Sequence, residues 1–385
     1  MWRVTAQEAT VARSRGELIH RAGEAGSVRR LFGVAAERLR RLIPHDAAVW
    51  VATDPATNLP TAPTRIENMD DFGGRAACLS LWESEFMVAD VSLYRDLARA
   101  QVPAAGLRLA TGDRPARSAR YREHLRPIGL GDELRAVLRA NGSPWAIVSL
   151  FREDGAQPFG AADVELMAAL SGPLGAAIRD HARPGAPPGA GIPDQGPGVM
   201  VFDPSGELVS INDDALAWLD ELGTDSDERV AGDPELPMTV LSTLMRARAI
   251  AEDRDHGIAR ARIRSSSSGR WLVCHASCLL DPDGVIGDTA LVIEPAKAAE
   301  VAPIIVQAYE LSPREQEITQ LIAHGYSTAE IAGRLYLSAH TVRDYVKAIF
   351  EKVGVSSRGE LVATLVAEHY APIHLDPSRL DRWQE

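Results

Sequence analysis

The sequence predicts a multidomain protein: two α+β domains followed by an all-α domain of four helices. Three observations predict it. A stretch with almost nothing to bury interrupts the chain at 182–198, strand-like and helix-like periods alternate on both sides of it, and from about residue 298 only the helical period continues. At 385 residues the chain also exceeds the ~100–200 residues of one domain. The expected division is 20–182, a linker at 183–196, 197–295, a helical linker at 296–308, a helical domain at 309–371, and a tail at 372–385.

The composition, 45% hydrophobic and 24% charged with a net charge of -12, is that of an ordinary globular protein. No run reads as ~18 consecutive apolar residues, and the first 26 residues lack an apolar stretch with a cleavage site, so the expectation is a cytoplasmic protein with no membrane partner. Of the three cysteines, Cys274 and Cys278 sit in a strand-like "RWLVCHASCLL". Four strand residues place them roughly 13 Å apart, too far for a disulfide, which needs Cα atoms within about 7 Å. His275 points to the other face, so neither a disulfide nor a metal site is expected.

The linker is marked by "ARPGAPPGAGIPDQGPG", five Pro and five Gly in 17 residues. Before it, the pattern predicts a helix through Leu31, Phe32, Val34, Ala35, Leu39 and Leu42, a strand at "AAVWVA", helices at "ADVSLYRDLARA" and "GDELRAVLRA", a strand at "PWAIVSLFR" and a closing helix at "AADVELMAALSGPLGAAIR". After it, "GVMVFDPSGELVSIND" reads as two strands about a Pro-Ser-Gly turn and "DDALAWLDELG" as a helix. Two further strand pairs fill 258–295, the first about a serine-rich tip read as solvated. Trp50, Trp82 and Trp145 are read as core, with the lining of a pocket as the alternative.

The last domain carries the sharpest local signals. Ser312 with Glu315, Ser327 with Glu330 and Ser357 with Glu360 are S-x-x-E capping boxes, and Pro313 follows the first. Ser338 caps the remaining helix, with Thr341 where the Glu would stand. In that helix Val342, Val346, Ile349, Phe350 and Val353 repeat on one face. His340, Arg343, Asp344 and Lys347 line the other at i, i+3, i+4 and i+7. Residues 334–358 hold five bases against two acids, whereas 213–256 hold twelve acids against four arginines. Charges farther apart than ~8 Å at physiological salt are largely screened, so an acidic middle segment need not cancel a local basic face. A short helix, a tight turn and a polar second helix is the arrangement that places side chains in the major groove of DNA.

Residues 311–361, "LSPREQEITQLIAHGYSTAEIAGRLYLSAHTVRDYVKAIFEKVGVSSRGEL", resemble the LuxR-type helix-turn-helix of bacterial transcription regulators, through "LSPRE", Gly325, "EIA", "S-x-x-TV", "KVGV" and "SRGEL". The resemblance implies that Arg343, Asp344 and Lys347 face base edges. It implies that Ser338, His340, Thr341, Tyr345, Lys352 and Arg358 serve phosphates or helix positioning. It also implies dimerisation through the fourth helix (Leu361, Val362, Leu365, Val366), for which packing within the domain is the alternative. Tyr345 stands where many members have His, and Tyr336 where the turn often has Gly or Asn. Asp344 can either accept from a cytosine amino group or pair with Lys347. Residues 20–182 resemble a GAF-like sensor domain and 197–295 a PAS-like domain. Their known cyclic-nucleotide and haem signatures are missing, so no cofactor is expected.

The function expected is a DNA-binding regulator, dimeric, answering to a small-molecule or protein effector. A phosphate-binding G-x-x-x-x-G-K-[ST] and clustered redox cysteines are both missing from the sequence, so no catalytic residue is expected. The competing expectation is a protein-binding scaffold tethered to DNA, without a small-molecule ligand.

Overall fold

The computed structural model describes residues 6–69, 74–182, 195–223, 236–265, 267–297, 300–301, 304, 307–309 and 311–362. By contact density the chain forms two compact units, one holding 1–178 and 195–295, the other 179–194 and 296–385.

The first unit contains two antiparallel five-stranded sheets. In the first, β1 (Ala47–Thr53), β2 (Pro60–Glu67), β3 (Ala104–Gly106), β4 (Leu130–Ala140) and β5 (Ser143–Glu153) run in the order β2-β1-β5-β4-β3. One face is covered by helices α2 (Val28–Leu42) and α6 (Ala161–Asp180), and α1 (Ala6–Gly23) packs on α2. The Phe32 ring lies 5.9 Å from that of Trp50, and a Cβ added to Gly175 would come within 2.6 Å of the Arg139 backbone, so α6 can approach β4 only because Gly stands there. By length and hydropathy α6 could span a bilayer. Met167, Leu170, Leu174 and Ile178 are nevertheless buried and Ser171 donates to the Val137 carbonyl at 2.7 Å, as in a core helix. On the opposite face lie α3 (Gly74–Met87) and the short helices α4 (Tyr94–Leu97) and α5 (Leu107–Thr111).

Residues 131–140, expected as a helix, form β4. The reason is twofold. Asn141 and Gly142 both have positive φ (51° and 82°), the two-residue turn that matches strand twist. In addition, Leu134, Ala136 and Leu138 face one side while Glu133 and Arg135 face the other, and nearly every position is buried. The expected helix at 89–100 shrinks to the single turn α4.

In the second sheet β6 (Gly198–Phe202), β7 (Leu208–Ile211), β8 (Arg260–Arg264), β9 (Trp271–Leu280) and β10 (Ile286–Pro295) run β7-β6-β10-β9-β8, the same order. Helices α7 (Asp213–Gly223) and α8 (Met238–Ala251) join it. Leu241 and Leu244 of α8 share one apolar cluster with Phe202, Ile263, Cys274 and Leu291 of the sheet, and also with Trp82 and Phe86 of α3. The two sheets thus share a core. Asp54, fully buried, accepts from Arg262 Nε at 2.7 Å and Nη2 at 2.6 Å across the same junction. No disulfide joins the cysteines among the described residues: Cys274 is buried, which pushes its pKa up to about 12, and Cys278 is half-buried. In the serine tip Ser267 is exposed, as expected of a solvated turn, while Ser265 is buried and Ser268 donates to Glu221. Trp50, Trp82 and Trp145 are all buried.

The second unit contains α9 (Pro313–Ala323), α10 (Thr328–Leu335), α11 (Ala339–Val353) and a further turn of helix at 358–362.

Candidate nucleic-acid interface

The helical unit is laid out by its caps. The Ser312 side chain accepts from the Glu315 amide while Glu315 accepts from the Ser312 amide, and Ser327 and Glu330 repeat the exchange. These bonds hold the Glu330 pKa below the usual carboxylate range. At the last helix the Ser357 hydroxyl accepts from the Glu360 amide at 3.1 Å, and the Glu360 carboxylate accepts chiefly from the amide and hydroxyl of Ser356. Gly325 and Gly354 end α9 and α11 with φ of 84° and 76°. Tyr336 ends α10 at φ 55°, a conformation that costs an L residue about 1–2 kcal/mol, and its ring is 96% exposed.

Helix α11 begins on Ser338, whose side chain accepts from the Thr341 amide at 3.0 Å and touches the Thr341 hydroxyl at 2.8 Å. Val342, Ile349 and Val353 are buried, beside Ile318 and Ile322 of α9 and Ile331 of α10. The opposite face holds His340, Arg343, Asp344 and Lys347, all exposed. Asp344 lies 3.8 Å from His340 and Lys347 lies 3.9 Å from Glu351. The Asp344–Lys347 pairing allowed by the sequence is therefore not formed; both partners turn to i±4 neighbours. Arg343 has no ion pair or hydrogen bond among the described residues. Tyr345 is half-buried at the edge of this face.

Lys352 and Arg358, expected to serve phosphates or helix positioning, are engaged inside the unit. Lys352 Nζ lies 2.6 Å from Glu315 Oε2, the carboxylate that closes the first capping box. Burial alone would raise the Glu315 pKa, but Lys352 and Ser312 hold it below the usual range. Arg358 donates to the Tyr326 carbonyl at the turn before α10. Two brackets escaped the sequence reading. Arg314 Nη2 donates to the Leu335 carbonyl at 2.7 Å, and the Arg334 guanidinium stands 4.0 Å over the Tyr326 ring. Leu361 is wholly buried and Val362 half-buried, so the described part of the fourth helix packs within the domain; Leu365 and Val366 lie outside the described residues.

This geometry meets an independent likeness. The family model of bacterial regulatory proteins of the luxR family matches residues 309–365. Residues 309–365 form a LuxR-type helix-turn-helix domain. The probable transcriptional regulatory protein NarL of Mycobacterium tuberculosis is 43% identical over 67 residues, 17% of this chain and 28% of that protein. The probable HTH-type transcriptional regulator GfsR of Streptomyces halstedii is 30% identical over 123 residues, 29% of this chain and 49% of that protein. The chain thus spans half or less of the length of these curated relatives. Among solved structures, SdiA in complex with octanoyl-rac-glycerol aligns over 96% of this chain and 97% of that one, at 12% identity and a TM-score of 0.34, too low to infer a shared fold. The likeness of the LuxR-type domain to named regulators is therefore confined to the C-terminal part of the chain.

Proposed function

We propose that the protein is a sequence-specific DNA-binding transcription regulator of the cytoplasm, acting as a homodimer and not as an enzyme. The single observation that carries this reading is the outward stripe on α11. Arg343 is left unbonded in a domain whose other arginines and lysine are largely engaged internally, so it is free to bond a guanine in two places. Asp344 beside it accepts from a cytosine amino group. Thr341, Ser338 and Tyr345 lie toward the flanking phosphates. Two copies pair through Leu361, Val362, Leu365 and Val366, so that two such helices meet DNA one turn apart.

In this reading 20–182 is a GAF-like and 197–295 a PAS-like domain, and both answer to an effector that controls the DNA-binding domain. The decisive experiment is selection of bound sequences from random DNA with the full-length protein, followed by binding of the selected and a scrambled site. A shared enriched motif with half-sites about ten base pairs apart supports the reading. Equal affinity for both sites overturns it.

A second reading, a scaffold whose upstream domains take a protein and no small molecule, is favoured by one observation. On the face of the first sheet opposite α2 and α6, Glu133 bridges Arg120 (2.8 Å) and Arg135 (2.9 Å), Arg135 reaches Glu85 (2.7 Å), and Ser149 donates to Glu133 (2.7 Å). All five are at most 3% exposed. Side chains fill this face of the sheet and satisfy one another.

A further inference from the structure

We infer that the junction between the two sheets of the first unit is a binding site for a small oxyanion, a carboxylate or a phosphate. The inference rests on the reading of the upstream domains as a sensor and gives that sensor a ligand class. It starts from a local failure of hydrogen bonding. Among the described residues eleven buried side-chain nitrogen and oxygen atoms have no hydrogen-bond partner, and four belong to one place: Arg246 Nε, Asp255 Oδ2, Thr57 Oγ1 and Asn58 Oδ1. Buried polar groups are ordinarily satisfied by protein, ordered water or a bound species, and of these four the Arg246 N–H and the Thr57 hydroxyl are donors that an anion would satisfy.

These residues come from both halves of the junction. Thr57 and Asn58 lie in the β1–β2 loop, Arg246 lies on α8, and Asp255 follows α8. Arg246 Nη1 donates to the Thr57 carbonyl, and Nη2 lies 3.5 Å from Asp255 Oδ1. Arg95 Nη1 shares the same carboxylate at 3.8 Å, and Arg99 is close enough to disfavour the charge on Arg246. Two guanidiniums therefore meet one carboxylate, with the Arg99 charge nearby. Neighbouring charges do not correct the excess, because Asp54 is taken by Arg262 and Glu252 pairs with Arg254 at 3.2 Å. Burial holds the Arg246 pKa below its ordinary value; Asp255 opposes the shift, and Arg99 and Arg95 add to it.

The place is also built. A Cβ on Gly257 would lie 1.9 Å from Arg246 Nη2, so any larger residue there would move the guanidinium from this position. The Gly257 amide fixes Asp255 Oδ1 at 2.7 Å. Exposure grades inward, from the exposed Arg99 through Arg95, with 28% of its side chain exposed, to Arg246 with 10%. An oxyanion entering this way meets N–H donors of Arg95 and Arg246, the Thr57 hydroxyl, and the Asn58 amide turned to present its N–H. Once seated, it ties α8 to the β1–β2 loop of the first sheet.

The test uses full-length protein titrated with sodium phosphate, sodium acetate or sodium chloride at constant ionic strength, read by thermal shift and by calorimetry. The expected result is a saturable rise in Tm, one ion per chain, with phosphate or acetate and not with chloride. Phosphate alone would assign a phosphate ligand, and acetate alone a carboxylate. R246M should abolish saturable binding, and D255N, which removes the competing carboxylate but keeps an oxygen for the Gly257 amide, should tighten it severalfold. Should R246M fail to fold by circular dichroism, D255N decides. No saturable response to either oxyanion, or an unchanged response in D255N, overturns the site. DNA affinity is measured on the same samples; saturable ion binding that leaves it unmoved supports the site and overturns only the sensor reading.

Discussion

The first sheet and helix α11 use the same side chains in opposite ways. Around Glu133, arginines and carboxylates are closed on one another away from water: burial alone would raise the Glu133 pKa, yet Arg120 and Arg135 outweigh it and hold it at about 2. On α11 the charges are exposed, joined by loose contacts of 3.8 and 3.9 Å, and Arg343 has no partner among the described residues. A closed network fixes a fold and offers nothing outward. An open stripe contributes little to stability, since exposed ion pairs give at most about 1 kcal/mol, and is therefore free to be spent on recognition. The comparison teaches where to look for function: in charges whose bonds are incomplete.

The comparison breaks first if the buried network can be cut cheaply. Glu133→Gln leaves two buried guanidiniums short of a partner and should cost about 3–5 kcal/mol. Urea denaturation followed by tryptophan fluorescence measures this, because six of the seven tryptophans precede residue 272. A loss below about 1 kcal/mol would mean that the network is ornamental. Next in size is the open stripe. Arg343→Ala should lose about 1–3 kcal/mol of binding on a selected site and leave the unfolding curve unchanged. The same pair of measurements on both variants separates the two regions.

The acid limb sharpens the contrast. A carboxylate whose folded pKa lies below its unfolded value stabilises fully above the unfolded value, near 4.5, and loses that contribution as pH falls toward the folded one. For Glu133 the window is about 4.5 down to about 2. Fluorescence-detected stability should therefore decline through that window in the wild type and show a flatter decline in Glu133→Gln. Smaller still is Lys352→Ala. With its ammonium on Glu315, it should reduce the stability of the helical domain by about 1 kcal/mol and leave the salt dependence of DNA binding as it was; a flatter salt slope would restore Lys352 to the phosphates. Smallest is Tyr336→Gly, which relieves the positive φ and should raise stability by up to about 1 kcal/mol, partly offset by the greater freedom of the unfolded chain, as thermal unfolding of the helical signal would show.

How much of this was legible in the sequence follows from the range over which each feature is determined. The caps at Ser312, Ser327 and Ser338, and the division of α11 into a buried and an exposed face, depend on neighbours three or four residues away, and all were readable. Strand β4 was not. Its Glu133 and Arg135 look like helix-surface charges until Glu85, Arg120 and Ser149, 13 to 50 positions distant, neutralise them; the Asn141-Gly142 turn was the local clue that outweighs helix propensity. Lys352 was legible only as a base serving phosphates or helix positioning: its partner Glu315 lies 37 residues earlier, so the ion pair itself could not be read from near neighbours. The shared core of the two sheets, and the incompletely bonded cluster at Arg246, arise from tertiary contacts between segments about 190 residues apart.

The central claim is that Arg343, Asp344 and Lys347 read bases from an otherwise internally bonded domain. It is tested most directly by the affinity of full-length wild-type and Arg343→Ala protein for a selected DNA site and for its scrambled counterpart. The account predicts a loss of roughly 5- to 150-fold on the selected site, the equivalent of about 1–3 kcal/mol, and a much smaller loss on the scrambled one. An equal loss on both, or none on either, would contradict it.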